Sequence, residues 1–377
     1  MSSEYWGFLN ITWQTVVMLS IGGIFIYLAV ARDVEPVLLL PIGTGIIMTN
    51  MPLSGLMEAG GLFGLLKSAG IETELFPLLI FIGVGAMIDF SPLLARPYTV
   101  LLGAAAQFGI FGTFLLVYLL GDGWLHLMPF TLKQAAAVGV IGSADGPTSI
   151  YVASILAPEL LGPIAVAAYS YMALVPIIQP PIMYLLTTEA ERKIRMPVSK
   201  GKVSKRMKIL FPIITTIGIG LIAPKATPLI GTLMFGNLLR ESGVVARLSK
   251  TAENEMANIV TILLGLTIGG MMVAGEFLKP QTILIFVMGI IAFAMDTATG
   301  LLFGKLMCVI SGRKINPLIG AAGISAFPMS ARVVQKVGLK ASPHNHLLMD
   351  AAGANTAGQI ASVTAGGAIL LLVLALA

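Results

Sequence analysis

The sequence predicts an all-α polytopic membrane protein built from two related halves with broken or re-entrant helices. Three observations carry that expectation. Apolar residues fill 56% of the 377 positions and charged residues only 11%. Several apolar runs approach the roughly 20 residues needed to cross a hydrocarbon core. Features of the first half also return, in the same order, in the second. A soluble chain carries roughly 25% charge, and so few charges cannot cover a water-exposed surface of this size. A bilayer supplies the missing apolar solvent.

Along the chain, the first run covers 15–30 and follows a stretch, 1–14, without Lys or Arg. It lacks the basic start of a cleaved leader and reads as a retained span. Similar runs cover 99–120, 207–223 and 282–302. There are about ten to twelve hydrophobic segments, several short or interrupted by Gly and Pro. Between the halves lie Arg192, Lys193, Arg195, Lys200, Lys202, Lys205, Arg206 and Lys208. Short cytoplasmic loops concentrate Lys and Arg, so the formal charge of +5 is a topology signal. No interleaved aromatics point to nucleic acid. The chain then divides into a first half (1–190), a basic cytoplasmic linker (191–208) and a second half (209–377).

Four pairs of segments match across the linker. Pro41-Ile-Gly-Thr44 ending at Asn50 resembles Leu229-Ile-Gly-Thr232 ending at Asn237. Ile80-Phe-Ile-Gly-Val-Gly-Ala-Met87 resembles Leu264-Gly-Leu-Thr-Ile-Gly-Gly-Met-Met272. Ile141-Gly-Ser-Ala144 matches Gly323-Ile-Ser-Ala326, placing Ser143 and Ser325 182 positions apart. The small, polar stretches 168–173 and 351–355 form the fourth pair. Duplicated transporters commonly carry inverted-topology repeats whose discontinuous helices meet near the midplane. An odd number of crossings per half puts both chain ends outside, and neither end carries Lys or Arg over 1–30 or 347–377.

Ionisable groups inside membrane segments are expensive and mark function. Asp145, in Gly142-Ser-Ala-Asp-Gly-Pro-Thr-Ser149, is the leading candidate. Gly142, Gly146 and Pro147 oppose a continuous helix. A break frees carbonyl oxygens, and Ser143, Thr148 and Ser149 add hydroxyls. These are the hard oxygen ligands of an alkali cation, with Asp145 supplying the charge. A helix cap at Asp145, with Pro147 in the first turn, is compatible with that role. The corresponding stretch 316–332 repeats the Gly, Pro and hydroxyl formula and ends in Arg332. Arg332 either faces an anion or polar cavity in the membrane or snorkels toward Lys336 and the interface. Tyr171 can donate a proton or bind an ion, and Asn355 and Thr356 offer neutral oxygens. Asp296 is a weaker intramembrane candidate without an identifiable partner.

The rest of the sequence excludes several chemistries. The sole cysteine, Cys308, permits no intramolecular disulfide and no Cys-rich metal or iron–sulfur site. There is no Walker-type loop for ATP, no biotin-attachment segment, and no metal-ligand spacing among His126, His344 and His346.

At these same residues the chain resembles the beta subunits of biotin-dependent, sodium-translocating decarboxylases, acting on oxaloacetate, methylmalonyl-CoA, glutaconyl-CoA or malonate. The likeness rests on Gly142-Ser-Ala-Asp-Gly-Pro-Thr148, Tyr169-Ser-Tyr-Met-Ala173, Gly236-Asn-Leu-Leu-Arg-Glu-Ser-Gly243, Asn316-Pro-Leu-Ile-Gly320, Ser325 with Arg332, and 347–359. It runs from about Asp33 to the C-terminus. The resemblance implies a subunit of the bacterial inner membrane that decarboxylates carboxybiotin, consumes a proton and drives sodium outward. Carboxybiotin arrives on a biotin carrier protein. A carboxyltransferase alpha subunit and a small single-span membrane subunit complete the complex, and this subunit forms a homo-oligomer. The family's sodium and proton residues fall on Asp145, Tyr171, Asn316, Gly320, Ser325 and Arg332. Asp145 and Asn316 are then sodium ligands with Ser325 close by, Ser143, Gly320 and Asn355 contributing to the ion site. Tyr171 delivers the proton and Arg332 steadies the carboxybiotin anion or the neighbouring carboxylate. The family also implies an elevator-type design. A stand-alone sodium-coupled transporter or sodium/proton antiporter is the alternative, and a non-catalytic membrane anchor a further one. The compact length resembles the CoA-thioester members more than the oxaloacetate ones.

Overall fold

The computed structural model describes residues 6–197 and 203–376. Lys200 and Lys202 of the basic linker lie outside the described residues. Among those described, the regular structure is helical and contains no strand. α1 (Trp13–Arg32) starts at a reciprocal cap between Thr12 and Thr15 and stops at Asp33, whose φ of 52° takes the left-handed turn. α2 (Pro36–Thr49) opens with proline, which costs nothing in a first turn. α3 (Leu75–Met87) meets the short helical stretch Leu62–Ile71 at a 63° bend.

α4 (Thr99–Ala106) and α5 (Phe108–Tyr118) part only at Gln107 and together form an apolar span. α6 (Leu132–Gly139), α7 (Gly146–Leu156) and the long, proline-bearing α8 (Leu161–Leu186) complete the first half. Past the linker come α9 (Lys205–Ile222), α10 (Thr227–Ser242), α11 (Ala257–Met271) and α12 (Pro280–Ile310). α13 (Met329–Ala341) and α14 (Leu348–Leu376) end the chain.

Among the described residues, five helical stretches are long and apolar enough to cross a membrane, or up to seven if each bent pair counts once. That is fewer than the number of hydrophobic segments. The difference has a physical cause: α2 and α7 are apolar but, at 14 and 11 residues, shorter than a hydrocarbon core requires. They are packed partial helices rather than independent spans.

The packing is crosswise between halves. α2 lies against α11, and α10 against α3. Both crossings are backbone to backbone. A methyl on Gly269 would lie 2.1 Å from the Ile42 carbonyl oxygen, and one on Gly85 1.9 Å from that of Leu233. Small residues of this kind let helices approach without a side chain between them. An asparagine closes each crossing. Asn50 donates to the Met272 carbonyl at 2.8 Å and accepts from the Ala274 N–H at 2.9 Å. Asn237 donates to the Ile88 carbonyl at 2.9 Å. A second group forms around α12, which packs on α4, α5 and α8, and α14, which packs on α4 and α13.

Candidate functional site

Two helix breaks meet at the centre of this second group. In the first, α6 tightens into a 3₁₀ turn at Val140–Ser143. Ala144 takes a left-handed conformation (φ 52°), and Asp145 becomes the N-cap of α7. In the second, Asn316 caps the 3₁₀ stretch Pro317–Gly323, after which the chain runs irregularly to α13. The Ser325 N–H donates to the Ser143 carbonyl at 3.0 Å, joining the breaks directly.

Asp145 is buried, with 3% of its surface exposed. Its Oδ2 accepts the Thr148 hydroxyl at 2.8 Å and the Ser362 hydroxyl at 2.7 Å, and its Oδ1 accepts the Thr148 N–H at 3.3 Å. The start of α7 adds the partial positive charge of a helix N-terminus. A carboxylate is therefore held in the interior by donors from both halves, Thr148 on α7 and Ser362 on α14. The same Ser362 hydroxyl lies 3.0 Å from the Gln359 carbonyl, so its one proton is shared, mainly with the closer Asp145.

α14 binds the second break along its length. Asn355 donates to the Ile324 carbonyl at 2.7 Å, Gln359 to that of Ser325 at 2.5 Å, and the Ser325 hydroxyl to that of Gly358 at 3.0 Å. Between α4 and α5, Gln107 donates to the Gly323 carbonyl at 3.1 Å. The remaining oxygens of Gln107 and Asn355 are buried without hydrogen-bond partners. Buried polar atoms are usually paired, so these mark sites with unused acceptor capacity around the breaks. A hydroxyl- and amide-rich set with a single carboxylate suits a hard monovalent cation better than a soft one.

The expected residues are not all in one place. Ser143, Asp145, Ser325 and Asn355 gather at the meeting of the breaks. Gly320 lies on the second break but serves close packing, since a methyl there would lie 2.0 Å from the Gly300 carbonyl of α12. Asn316 stands at the other end of the 3₁₀ stretch, whose seven residues span about 14 Å at ~2.0 Å each. It donates to the linker carbonyls of Arg192 and Ile194 at 3.1 and 2.8 Å and accepts from the Leu318 N–H at 2.9 Å. Tyr171 is buried and donates to the Phe286 carbonyl of α12. Arg332 is exposed on α13.

Several participants escaped the sequence reading. Ser362 and Gln107 are single polar residues in apolar, small-residue runs. Gln179 of α8 donates to the Ala321 carbonyl at 2.8 Å and accepts the Ser330 hydroxyl at 3.0 Å, steadying the second break. Tyr169, rather than Tyr171, packs beside Asp145: a methyl on Gly146 would lie 2.5 Å from its ring, and its buried hydroxyl has no partner. Only the rarity of polar side chains in such runs signals them.

Fold and site together define a multi-pass membrane protein that encloses a carboxylate between two broken helices. Residues 14–373 match the family described as the Na+-transporting oxaloacetate decarboxylase beta subunit, and the chain belongs to that family. It is 53% identical over 364 residues to the methylmalonyl-CoA decarboxylase subunit beta of Veillonella parvula, covering 97% of this chain and 94% of that one. The oxaloacetate decarboxylase beta chain of Haemophilus ducreyi is 49% identical over 420 residues, covering 97% and 96%. The methylmalonyl-CoA decarboxylase subunit beta of Propionigenium modestum is 50% identical over 390 residues, covering 97% and 96%.

Proposed function

We propose that this chain is the membrane subunit of a sodium-pumping decarboxylase, in which decarboxylation of carboxybiotin drives sodium outward and consumes a proton. The observation that carries this reading is Asp145, buried where the two breaks meet and bonded by hydroxyls from both halves. Sodium is the cargo. Asp145 supplies its charge, while Ser143, Ser325 and Asn355 supply or orient oxygens around it.

Other roles follow from position. Tyr171 delivers the proton from α8. Arg332, exposed on α13, meets the carboxybiotin anion brought by a biotin carrier protein. Asn316 and Gly320 fix the second break, the former to the cytoplasmic linker and the latter to α12. The carboxyltransferase alpha subunit and a small single-span subunit dock on the same complex, in the bacterial inner membrane, with this chain as a homo-oligomer. Among the acyl substrates, a CoA thioester is favoured. Alignment to the oxaloacetate chain of Haemophilus ducreyi extends over 420 positions against 364 for the methylmalonyl-CoA subunit of Veillonella parvula. The methylmalonyl-CoA subunit of Propionigenium modestum aligns over 390, so of the three the oxaloacetate chain has the most residues without a counterpart in this compact chain.

The halves, 1–190 and 209–377, are inverted repeats. The crosswise packing of α2 on α11 and α10 on α3, each closed by an asparagine, supports this. In an elevator arrangement, α2, α3, α10 and α11 form the scaffold, and the breaks with α12 and α14 form the moving core. Sodium and carboxybiotin must favour different positions of that core, because a ligand binding both equally shifts nothing.

The test is radioactive sodium uptake into inverted vesicles holding the reconstituted complex. Uptake should require the acyl substrate and the biotin carrier, and disappear in Asp145→Asn. Sodium flux through the isolated chain without a biotin protein would instead indicate a stand-alone transporter.

A further inference from the structure

A second carboxylate lies deep in the fold and takes no part in the Asp145 cluster. Asp296 sits midway along the 31-residue α12 and is 0% exposed. Its Oδ1 accepts the Ile110 N–H at 3.1 Å, in the first turn of α5 just past Gln107. A methyl on Gly109 would come 2.2 Å from the same oxygen, so α5 can approach only through a glycine. Oδ2 is buried and receives no hydrogen bond. It faces the first break, where a methyl on Gly142 would lie 3.0 Å from it.

Among the described residues, no counter-charge meets this carboxylate. The elements packed on α12 are α4, α5, α6, α8 and the 3₁₀ stretches Val140–Ser143 and Pro317–Gly323. Their ionisable side chains are Tyr118 on α5, Lys133 on α6, and Tyr169, Tyr171 and Tyr184 on α8. Tyr171 donates to the Phe286 carbonyl, the Tyr169 hydroxyl is unpartnered, and neither Lys133 nor Tyr184 bonds Asp296. On α12 itself, Lys305 is engaged with the Leu186 carbonyl at 3.0 Å and Glu191 at 3.4 Å, and Cys308 is free. An isolated charge in such surroundings is strongly disfavoured even after relaxation, and such groups take up a proton instead.

A sodium ion fits less well here than at Asp145. Asp145 gathers two hydroxyls, from Thr148 and Ser362, whereas Asp296 accepts the Ile110 N–H and no hydroxyl. Thr297, one residue along, keeps a buried hydroxyl without a hydrogen-bond partner and makes no bond to Asp296.

We infer that Asp296 is a proton-binding site, a carboxylic acid with its proton on Oδ2 against Gly142. Its charge state governs how the first break seats on α12. The neutral acid packs against the Val140–Ser143 turn, and the proton leaves when that turn moves away and water reaches Oδ2. Feeding this proton to decarboxylation rests on the sodium-pump reading; holding it does not.

The experiment is infrared spectroscopy of the assembled complex without acyl substrate, comparing wild type with Asp296→Asn and Asp296→Glu. A protonated-carboxyl band present in wild type at neutral pH should vanish in Asp296→Asn and return, shifted, in Asp296→Glu. If Asp296→Asn does not assemble, wild type carrying 13C-aspartate is measured in saturating sodium, which holds Asp145 ionised. A 13C-shifted acid band should persist. Absence of the band, or its loss on adding sodium in parallel with binding, overturns the proton site. Neither outcome bears on uptake driven by carboxybiotin, so the two readings fail separately.

Discussion

The Ser325 N–H donates to the Ser143 carbonyl across 3.0 Å, so residues 182 positions apart in sequence hold the two helix breaks together. A break leaves helix-end carbonyls and N–H groups unpaired. Here some of that capacity is satisfied by the other half of the chain. With the breaks pinned to each other, Asp145 is carried to α14, where Ser362 meets it.

Ser362→Ala should leave the complex assembled and weaken sodium. Hydrogen bonds to charged groups contribute about 1.5–3 kcal/mol, and each ~1.4 kcal/mol is tenfold. The sodium concentration for half-maximal decarboxylation should therefore rise by about 10- to 100-fold. An unchanged sodium dependence would remove Ser362 from the site.

Gly85→Ala and Gly269→Ala should destabilise the chain, whereas Gly23→Ala should not. The added methyl would lie 1.9 Å from the Leu233 oxygen or 2.1 Å from that of Ile42, while nothing lies within 4 Å at Gly23. The obstacle is backbone, so relief requires the helices to part. Overpacking costs about 1–3 kcal/mol. Thermal unfolding of the purified variants in detergent reads the difference, and equal melting for all three would contradict the close crossings.

Much of this was legible beforehand. Composition alone fixes the membrane class, because a bilayer is the only solvent that tolerates such scarcity of charge. Asp145 stands out because a carboxylate inside an apolar run, between Gly and Pro, is costly. The matched segments around Asn50 and Asn237 read as similar stretches, and nothing in them says that each packs against a segment of the other half. Spacing within a chain encodes which residues share a helix face, and long-range partners lie beyond it. Asn316 shows the same limit. Its residue type suits an ion ligand, and its position at the far end of the 3₁₀ stretch, with its amide N–H groups bonded to Arg192 and Ile194 of the linker, could not be read from type alone. Ser362 was invisible because a lone serine among alanines and glycines serves packing equally well.

Asn50→Ala should cost more stability than Asn237→Ala. Asn50 bonds the Met272 carbonyl, the Ala274 N–H and the Ile46 carbonyl, all buried or partly buried. Among the described residues, Asn237 bonds only the Ile88 carbonyl, and its own oxygen is unpartnered. Each orphaned buried group costs about 1–3 kcal/mol. Chemical denaturation monitored by helicity orders the two variants, and the reverse order would refute the account.

The start of the linker should detach in acid. Glu191 accepts the Thr188 N–H at 2.7 Å and its hydroxyl at 3.1 Å, and lies 3.4 Å from the Lys305 ammonium. The next residue, Arg192, gives its carbonyl to Asn316 at 3.1 Å and Asn345 at 2.7 Å. Burial raises the Glu191 pKa, but the Thr188 bonds and Lys305 outweigh it and hold the carboxyl below its ordinary 4.5. A group whose folded-state pKa is depressed stabilises the fold fully above the unfolded-state value, and that contribution fades as pH falls through the folded-state value. Amides over 188–194 should thus keep their protection from hydrogen exchange at about pH 6 and lose it near pH 3, after correction for intrinsic rates. In Glu191→Gln the acid step should vanish, because the amide does not titrate. A step of unchanged size in that variant would assign the acid sensitivity to another carboxylate and free the linker from Glu191.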